Sequence, residues 1–276
     1  MTDAGHYREI LRPVVRGRKV VLAVEVMQAA TGTVPILAEL DTDGIFVLAG
    51  AVGAGPMPEA EGLQTKVIGV PGGPSVMDNI RQFEAALQSP SPEMLAALDA
   101  FDPDADAIVL GTLFTTGTRI CGRRLYGGRP AEWERLEDKT AVDWVWEAAG
   151  VPHAPSHLVA PDLESLVAAM RSVDRGAGAA CAGDARGGWW GGAAFFRWIK
   201  TEDDAAVASA FFSSHCDRVR VMPFLEGIPC SIHGVVFPGT VIAFRPVEML
   251  TLRKKGKTEL QYSGLATYWD PPDADR

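Results

Sequence analysis

The sequence predicts an α/β protein, α+β overall, built as an open parallel α/β domain over residues 1–136 and a second domain over 137–276. Three observations predict it. A chain of 276 residues is long enough for two compact cores. Its first half alternates short apolar runs with stretches of helical periodicity, the pattern of strands and crossover helices in a parallel sheet. From Val219 onward the pattern turns to strands, and Thr240-Val241-Ile242-Ala243-Phe244 follows Val235-Val236-Phe237 after only Pro238-Gly239, which reads as an antiparallel hairpin.

In the first half, Lys19 to Val26 is an apolar run suited to a buried strand, and Gly44 to Leu48 and Lys66 to Val70 offer two more. Ser75 is placed to cap a helix whose Val76, Ile80, Phe83 and Leu87 fall on one face, with Asp78 at the capping-box position. Ser91-Pro92 starts another, with Leu95, Leu98 and Phe101 inward. Residues 106–111 read as a central strand. The run Gly50-Ala51-Val52-Gly53-Ala54-Gly55-Pro56 has the wrong order for a dinucleotide fingerprint, and Pro56 and Pro58 break the helix such a fingerprint needs. It reads as a loop, and Pro71-Gly72-Gly73-Pro74 as a turn.

In the second half, Asp138-Lys139 opens a predicted helix with Val142, Val145, Trp146 and Ala149 as its apolar stripe, stopped by Gly150 and Pro152. Asp162 caps a second helix that buries Leu163, Leu166, Val167 and Met170. A third covers 204–215.

A net charge of −9 argues against general nucleic-acid binding, which requires a basic face. The runs Arg123-Arg124 and Arg253-Lys254-Lys255-Gly256-Lys257 read as solvated loops, with contact of Arg253 and Lys255 to a phosphate or an acceptor substrate as the alternative. Cys121, Cys181, Cys216 and Cys230 are far apart with no Cys-x-x-Cys pair, so a reduced, cytoplasmic protein is expected, with cysteines as small core residues. No apolar run reaches membrane-spanning length. His153 and His157 are four apart, but Pro152 and Pro155 rule out the helix that would make them one metal face, and His233 is expected on a strand.

Four segments carry the chemistry. Lys139 supplies a cation. Gly187, Gly188, Gly191 and Gly192 lie within six residues, at a cost in conformational entropy that a loop closing over a ligand turns to use, because its N–H groups can approach phosphate oxygens. Met222-Pro223-Phe224-Leu225-Glu226-Gly227 is an apolar linker with exposed backbone. Arg245 and Glu248 follow the hairpin. Cation, glycine loop, backbone-exposing linker and Arg/Glu pair are the parts needed to hold a nucleoside triphosphate with its metal. Each also has a plainer reading: a surface lysine, a hairpin tip carrying Trp189 and Trp190, a core strand ending in a turn, and a surface salt bridge.

The order of these segments, from Arg119 to Tyr268, resembles the ATP-grasp superfamily of ligases, with residues 1–118 as a plausible preceding α/β domain. The resemblance implies that ATP and Mg²⁺ are the cofactors and that Lys139 contacts the nucleotide phosphates beneath the glycine loop. Adenine would lie on Met222 C=O and Leu225 N–H, with Glu226 on the ribose. Arg186 and Arg245 would serve catalysis by neutralising the transferring phosphoryl group, and Glu248 would bind the metal. Many members carry a lysine on the strand before the glycine loop. Here Ala180-Cys181-Ala182-Gly183-Asp184 stands instead, and Arg186, or more weakly Arg197, supplies the charge. The implied reaction joins a small-molecule carboxylate to an amine through an acylphosphate. The family pattern continues to a Glu-x-Asn motif that does not occur before Arg276, so a C-terminally truncated ATP-grasp domain is expected. The alternative is a nucleotide-binding or partner-binding module without catalysis.

Overall fold

The computed structural model describes residues 4–73, 76–112, 114–184, 193–237, 239–253 and 255–267. The chain divides into two compact units, Met1–Trp133 and Glu134–Arg276.

The first unit runs α1 (Ala4–Val15), β1 (Lys19–Val26), α2 (Thr33–Glu39), β2 (Gly44–Ala51), β3 (Gln64–Val67), α3 (Val76–Gln88), α4 (Pro92–Phe101), β4 (Ile108–Leu110), β5 (Arg119–Ile120) and β6 (Arg123–Tyr126). Its sheet has the order β3-β2-β1-β4-β6-β5. All neighbours are parallel except β5, which pairs antiparallel with β6. This is the open parallel sheet the alternating pattern predicts. Strand alternation divides β1 between two cores. Val20 and Leu22 pack with Val34 and Leu37 of α2, while Val21 and Ala23 pack with Phe83 and Leu87 of α3 and Met94 and Leu98 of α4. Ser91 caps α4, its hydroxyl accepting from Met94 N–H at 3.1 Å; the inward residue of the first turn is Met94, with Leu95 half-buried. The third strand starts earlier than predicted, at Gln64, although Ile68 and Val70 still donate to the carbonyls of Ala49 and Gly50. Ser75, the predicted cap of α3, lies outside the described residues.

The Arg123-Arg124 run is not a solvated loop. It lies on β6, where alternation turns Arg123 inward and Arg124 outward. Arg123 is 1% exposed. It donates to Asp102 Oδ2 at 2.7 Å, Asp99 Oδ1 at 2.9 Å and the Cys121 carbonyl at 2.9 Å. Burial opposes ionisation of Asp102, but the Ala107 N–H and Arg123 outweigh it and hold the carboxyl below its ordinary range.

The second unit runs α5 (Asp143–Ala148), β7 (His157–Val159), α6 (Leu163–Val173), β8 (Ala179–Gly183), β9 (Phe196–Ile199), α7 (Glu202–His215), β10 (Val219–Pro223), β11 (Cys230–Ser231), β12 (Gly234–Phe237), β13 (Thr240–Ala243), β14 (Val247–Arg253) and β15 (Leu260–Ala266). An antiparallel sheet of order β7-β10-β8-β9 is joined by a three-stranded sheet β11-β14-β15 and the hairpin β12-β13. The hairpin pairs Phe237 with Thr240, as predicted. Asp162 caps α6 by accepting from Ser165 N–H at 2.8 Å, and Thr201 with Asp204 forms a capping box on α7.

The helix predicted from Asp138 is a correction. Asp138 accepts from the Thr140 N–H at 2.9 Å and from its hydroxyl at 2.6 Å, which closes a local turn that competes with helix formation. The helix begins only at Asp143 and buries no residue. Leu163 of α6 is also exposed rather than buried. His157 lies on a strand, and His233 falls between β11 and β12 instead of on a strand. Among the described residues, no helix is long and apolar enough to cross a membrane.

Candidate functional site

The register across β9, β8 and β10 sorts the second unit's main sheet into two faces. Cys181, Ile199, Val219 and Val221 face α6 and α7 and form the core. On the other face Trp198, Ala180 and Met222 stand in one row, and Phe196, Ala182 and Arg220 in the next. A cavity of about 580 Å³ opens on this second face. Ala180, Phe196 and Met222 form its floor, the segment from Pro223 to Pro229 one wall, and Thr251, Arg253 and Leu260 the other. The lining is mostly apolar with a few polar groups, as small-molecule sites generally are.

The backbone of β10 gives the cavity its polarity. Phe224 N–H donates to the Gly178 carbonyl at 3.0 Å, so the even-numbered residues of β10 turn their peptide groups toward β8. Met222, paired with Ala180, therefore presents its carbonyl to β8 and not to the cavity edge. The odd-numbered residues face β7, whose ladder ends where Val221 meets His157. Two residues further, the same register would set Pro155 against Pro223, and neither proline has an N–H to give. The ladder stops there. Pro223 C=O, on the last residue of β10, is left as an outward acceptor; Leu225 lies just beyond the strand, and no hydrogen bond engages the Pro223 C=O or the Leu225 N–H among the described residues.

A cation stands at the rim. The Arg253 guanidinium lies 4.0 Å from the Trp198 ring centroid and 4.9 Å from that of Phe224, and the two rings are 4.6 Å apart. The planar guanidinium is held by stacking, which leaves its N–H edges for an acceptor. Lys200 lies 4.3 Å over Trp198. Beneath Met222, buried Arg220 donates to Asp143 at 3.0 and 2.5 Å and to Met222 Sδ at 3.2 Å.

The structure places the predicted residues as follows. Met222, Leu225 and Glu226 line the cavity. Lys139 lies in the turn before α5, half-buried, and not at a helix start. Arg245 is exposed between β13 and β14. Glu248 lies on β14, separated from the lining residues Thr251 and Arg253 by the register irregularity at Leu250–Thr251, and does not itself line the cavity. Arg186, Gly187, Gly188, Gly191 and Gly192 lie outside the described residues. Arg197 turns to the core face, 3.6 Å over the Phe211 ring, and donates to the carbonyls of Ala194 and Phe196. Burial lowers its pKa, against the opposing effect of Glu259. It is a structural cation, not a second choice for a phosphate.

Sequence reasoning missed Phe196, Trp198 and Arg220. Two aromatics spaced by two after the glycine run marked a shared strand face, and Arg220 between buried valines marked the same face of β10. Among the described residues no three His, Cys, Asp or Glu side chains come together as a metal site.

No protein-family model matches the sequence, and no curated protein matches it. Solved structures do. The L-amino acid ligase of Bacillus licheniformis superposes with a TM-score of 0.50 at 10% identity, covering 88% of this chain and 52% of the ligase. N5-carboxyaminoimidazole ribonucleotide synthetase in its ADP complex gives 0.49 at 14%, covering 86% and 55%. The Staphylococcus aureus N5-carboxyaminoimidazole synthetase gives 0.49 at 10%, covering 89% and 57%. The chain shares the fold of the ligase: a parallel α/β unit followed by an ATP-grasp-like β-rich unit. It spans little more than half the length of these structures.

Proposed function

We propose that the second unit binds the adenine nucleotide ATP in the cavity beside β10, as the nucleotide-binding part of a ligase that activates a small carboxylate as an acylphosphate for attack by an amine. One observation carries this reading: an unengaged backbone acceptor and donor, Pro223 C=O and Leu225 N–H, belong to residues two apart on the wall of an apolar cavity. Adenine offers a matching exocyclic N–H donor beside a ring-nitrogen acceptor. Guanine offers the reverse order and would leave both groups facing like partners. Met222, Phe196 and Leu260 supply apolar contact for the ring. Glu226 can accept from a ribose hydroxyl, and Arg253 is placed for a phosphate oxygen. Lys139, Arg186, Arg245 and the glycines Gly187, Gly188, Gly191 and Gly192 complete the phosphate side of this reading.

Magnesium fits less well. Mg²⁺ requires a near-octahedral set of oxygens, and Glu248 has no cluster of His, Cys, Asp or Glu side chains around it among the described residues. That same observation favours a second reading, a nucleotide-binding module without catalysis.

Titration calorimetry of the 276-residue chain with ADP and with GDP tests the site. ADP should bind about tenfold or more tightly than GDP, the worth of the reversed hydrogen bonds, and Leu225→Pro, which removes the N–H, should abolish that preference. Equal affinity for both nucleotides, or none for either, would overturn the proposal. ADP binding without ATP turnover in any carboxylate and amine mixture would leave the second reading.

A further inference from the structure

We infer that the first unit carries a separate small-molecule site for a primary amine with an apolar body, with Glu25 as the ammonium acceptor. A cavity of about 420 Å³ opens at the C-terminal ends of β1 and β2, under α3. Ligands of open parallel sheets bind at this end of the strands. The sheet row explains the space. Phe46 and Leu48 fill the α3 face of β2 lower down, and Val21 and Ala23 fill that of β1. The next residues in the same alternation are Gly50 and Glu25. A Cβ at Gly50 would meet the Glu25 carbonyl at 2.9 Å and Phe83 Cδ2 at 3.0 Å, so glycine lets the Phe83 ring close directly over the strand end, and the cavity opens beside that ring with Glu25 in its lining.

The rest of the lining decides what fits. Val70, Ile80 and Phe83 give an apolar wall. Glu25 is half-buried and has no ion-pair or hydrogen-bond partner for its carboxylate among the described residues. A second carboxylate, Glu84, stands near enough that the charge of Glu25 helps raise its pKa, after the larger effect of burial; the Thr115 and Thr112 hydroxyls and Arg129 act the other way. A ligand cation relieves that repulsion and gives the Glu25 carboxylate a partner, whereas an anion meets it. Asn79 accepts the Gly73 N–H at 2.6 Å through its Oδ1, so its amide Nδ2 remains as a donor at the cavity mouth. A small ammonium compound with a hydrocarbon body satisfies the acid, the apolar wall and the space together. This site stands independently of the nucleotide cavity.

The test is titration of the full chain with phenethylamine, beside the neutral 2-phenylethanol and the anion 3-phenylpropionate, followed by calorimetry and by amide chemical shifts. Phenethylamine should bind saturably and shift the amides of Gly50, Val70 and Gly72. Its affinity should fall about tenfold or more in Glu25→Gln, the worth of a charge-assisted hydrogen bond, and added ADP should not displace it. Equal binding of 2-phenylethanol, binding unchanged in Glu25→Gln, or no amine binding at all would overturn the inference. Displacement by ADP with shifts at Met222 to Leu225 would overturn it too, by placing the amine in the other unit. Should Glu25→Gln unfold, the shift pattern in the unaltered chain still decides.

Discussion

Arg220 on β10 grips Asp143 at the first turn of α5, Nε to Oδ2 at 3.0 Å and Nη2 to Oδ1 at 2.5 Å. Ser156 adds its hydroxyl to the same carboxylate at 2.5 Å. The pair stands beside Met222 on the same sheet face, with Arg220 also donating to Met222 Sδ at 3.2 Å, so it anchors the strand that leads into the cavity wall.

This pair predicts an acid-sensitive anchor. Burial opposes the charge on Asp143, but hydrogen bonds from Arg220 and Ser156 outweigh it and lower the pKa from its ordinary 3.8. A carboxyl with a lowered folded pKa contributes its full stabilisation above the unfolded value and loses it as pH falls through the folded one. Asp143→Asn should cost about 1–3 kcal/mol near pH 7 and much less below the folded pKa, where Asp143 is itself protonated. Urea unfolding at neutral and acid pH measures both. An equal loss at the two pH values would mean that the geometry, not the charge, matters.

The stack of Arg253 on Trp198, 4.0 Å apart, predicts a division of labour in the cavity. If Arg253 meets phosphate, Arg253→Ala should weaken ADP by about tenfold and leave adenosine nearly unchanged. Calorimetry with the two ligands separates these. A parallel loss for adenosine would assign Arg253 to the base.

How much of this was legible in the sequence follows from how local each signal is. Strand β1 was readable to the residue because a parallel strand buried on both faces is a continuous apolar run. The caps Ser91 and Asp162 were readable because a cap acts within four residues, while the third helix, expected over 204–215, starts two residues earlier behind the unread cap Thr201. The helix expected at Asp138 failed on a competition that sequence does not rank, between a helix start and an Asx turn closed on Thr140. Arg123 was misread because its partners Asp102 and Asp99 lie more than twenty residues away. The segment Met222 to Glu226 was legible as one piece, and it lines a cavity, but the outward acceptor was placed on Met222. Which peptide faces outward depends on register with β8 and on where the β7 ladder stops, at His157, and neither is local.

Glu84 on α3 predicts a pH effect of the opposite sign to that of Asp143. Burial raises its pKa above the ordinary 4.5, against hydrogen bonds from Thr115 at 2.8 Å and Thr112 at 3.0 Å. A carboxyl with a raised folded pKa holds its proton in the folded state while the unfolded chain has released it. Stability is therefore greatest below the unfolded value and declines as pH rises to the folded one. Glu84→Gln keeps an acceptor for both threonines and removes the charge. It should leave stability unchanged or higher near pH 7 and remove this part of the decline. A marked destabilisation at neutral pH would show that the ionised carboxylate is required there.

The cysteines offer a map of which sheet face is closed. Cys181 on β8 points into the core with Val221 and Phe212, and burial pushes its thiol up to about 12. Thiolate is the species that attacks a maleimide, so both access and ionisation protect it. Cys216 is fully buried as well, while Cys230 on β11 is exposed and Cys121 half-buried. N-ethylmaleimide at about pH 8 should modify Cys230 first in the native chain, and Cys181 and Cys216 only once urea unfolds the second unit. Peptide mass spectrometry gives the order. Since Cys181 lies on the same strand as Ala180, its native-state modification would show that β8 opens from α6 and α7, and a cavity floor built on Ala180 and Met222 would then not be rigid.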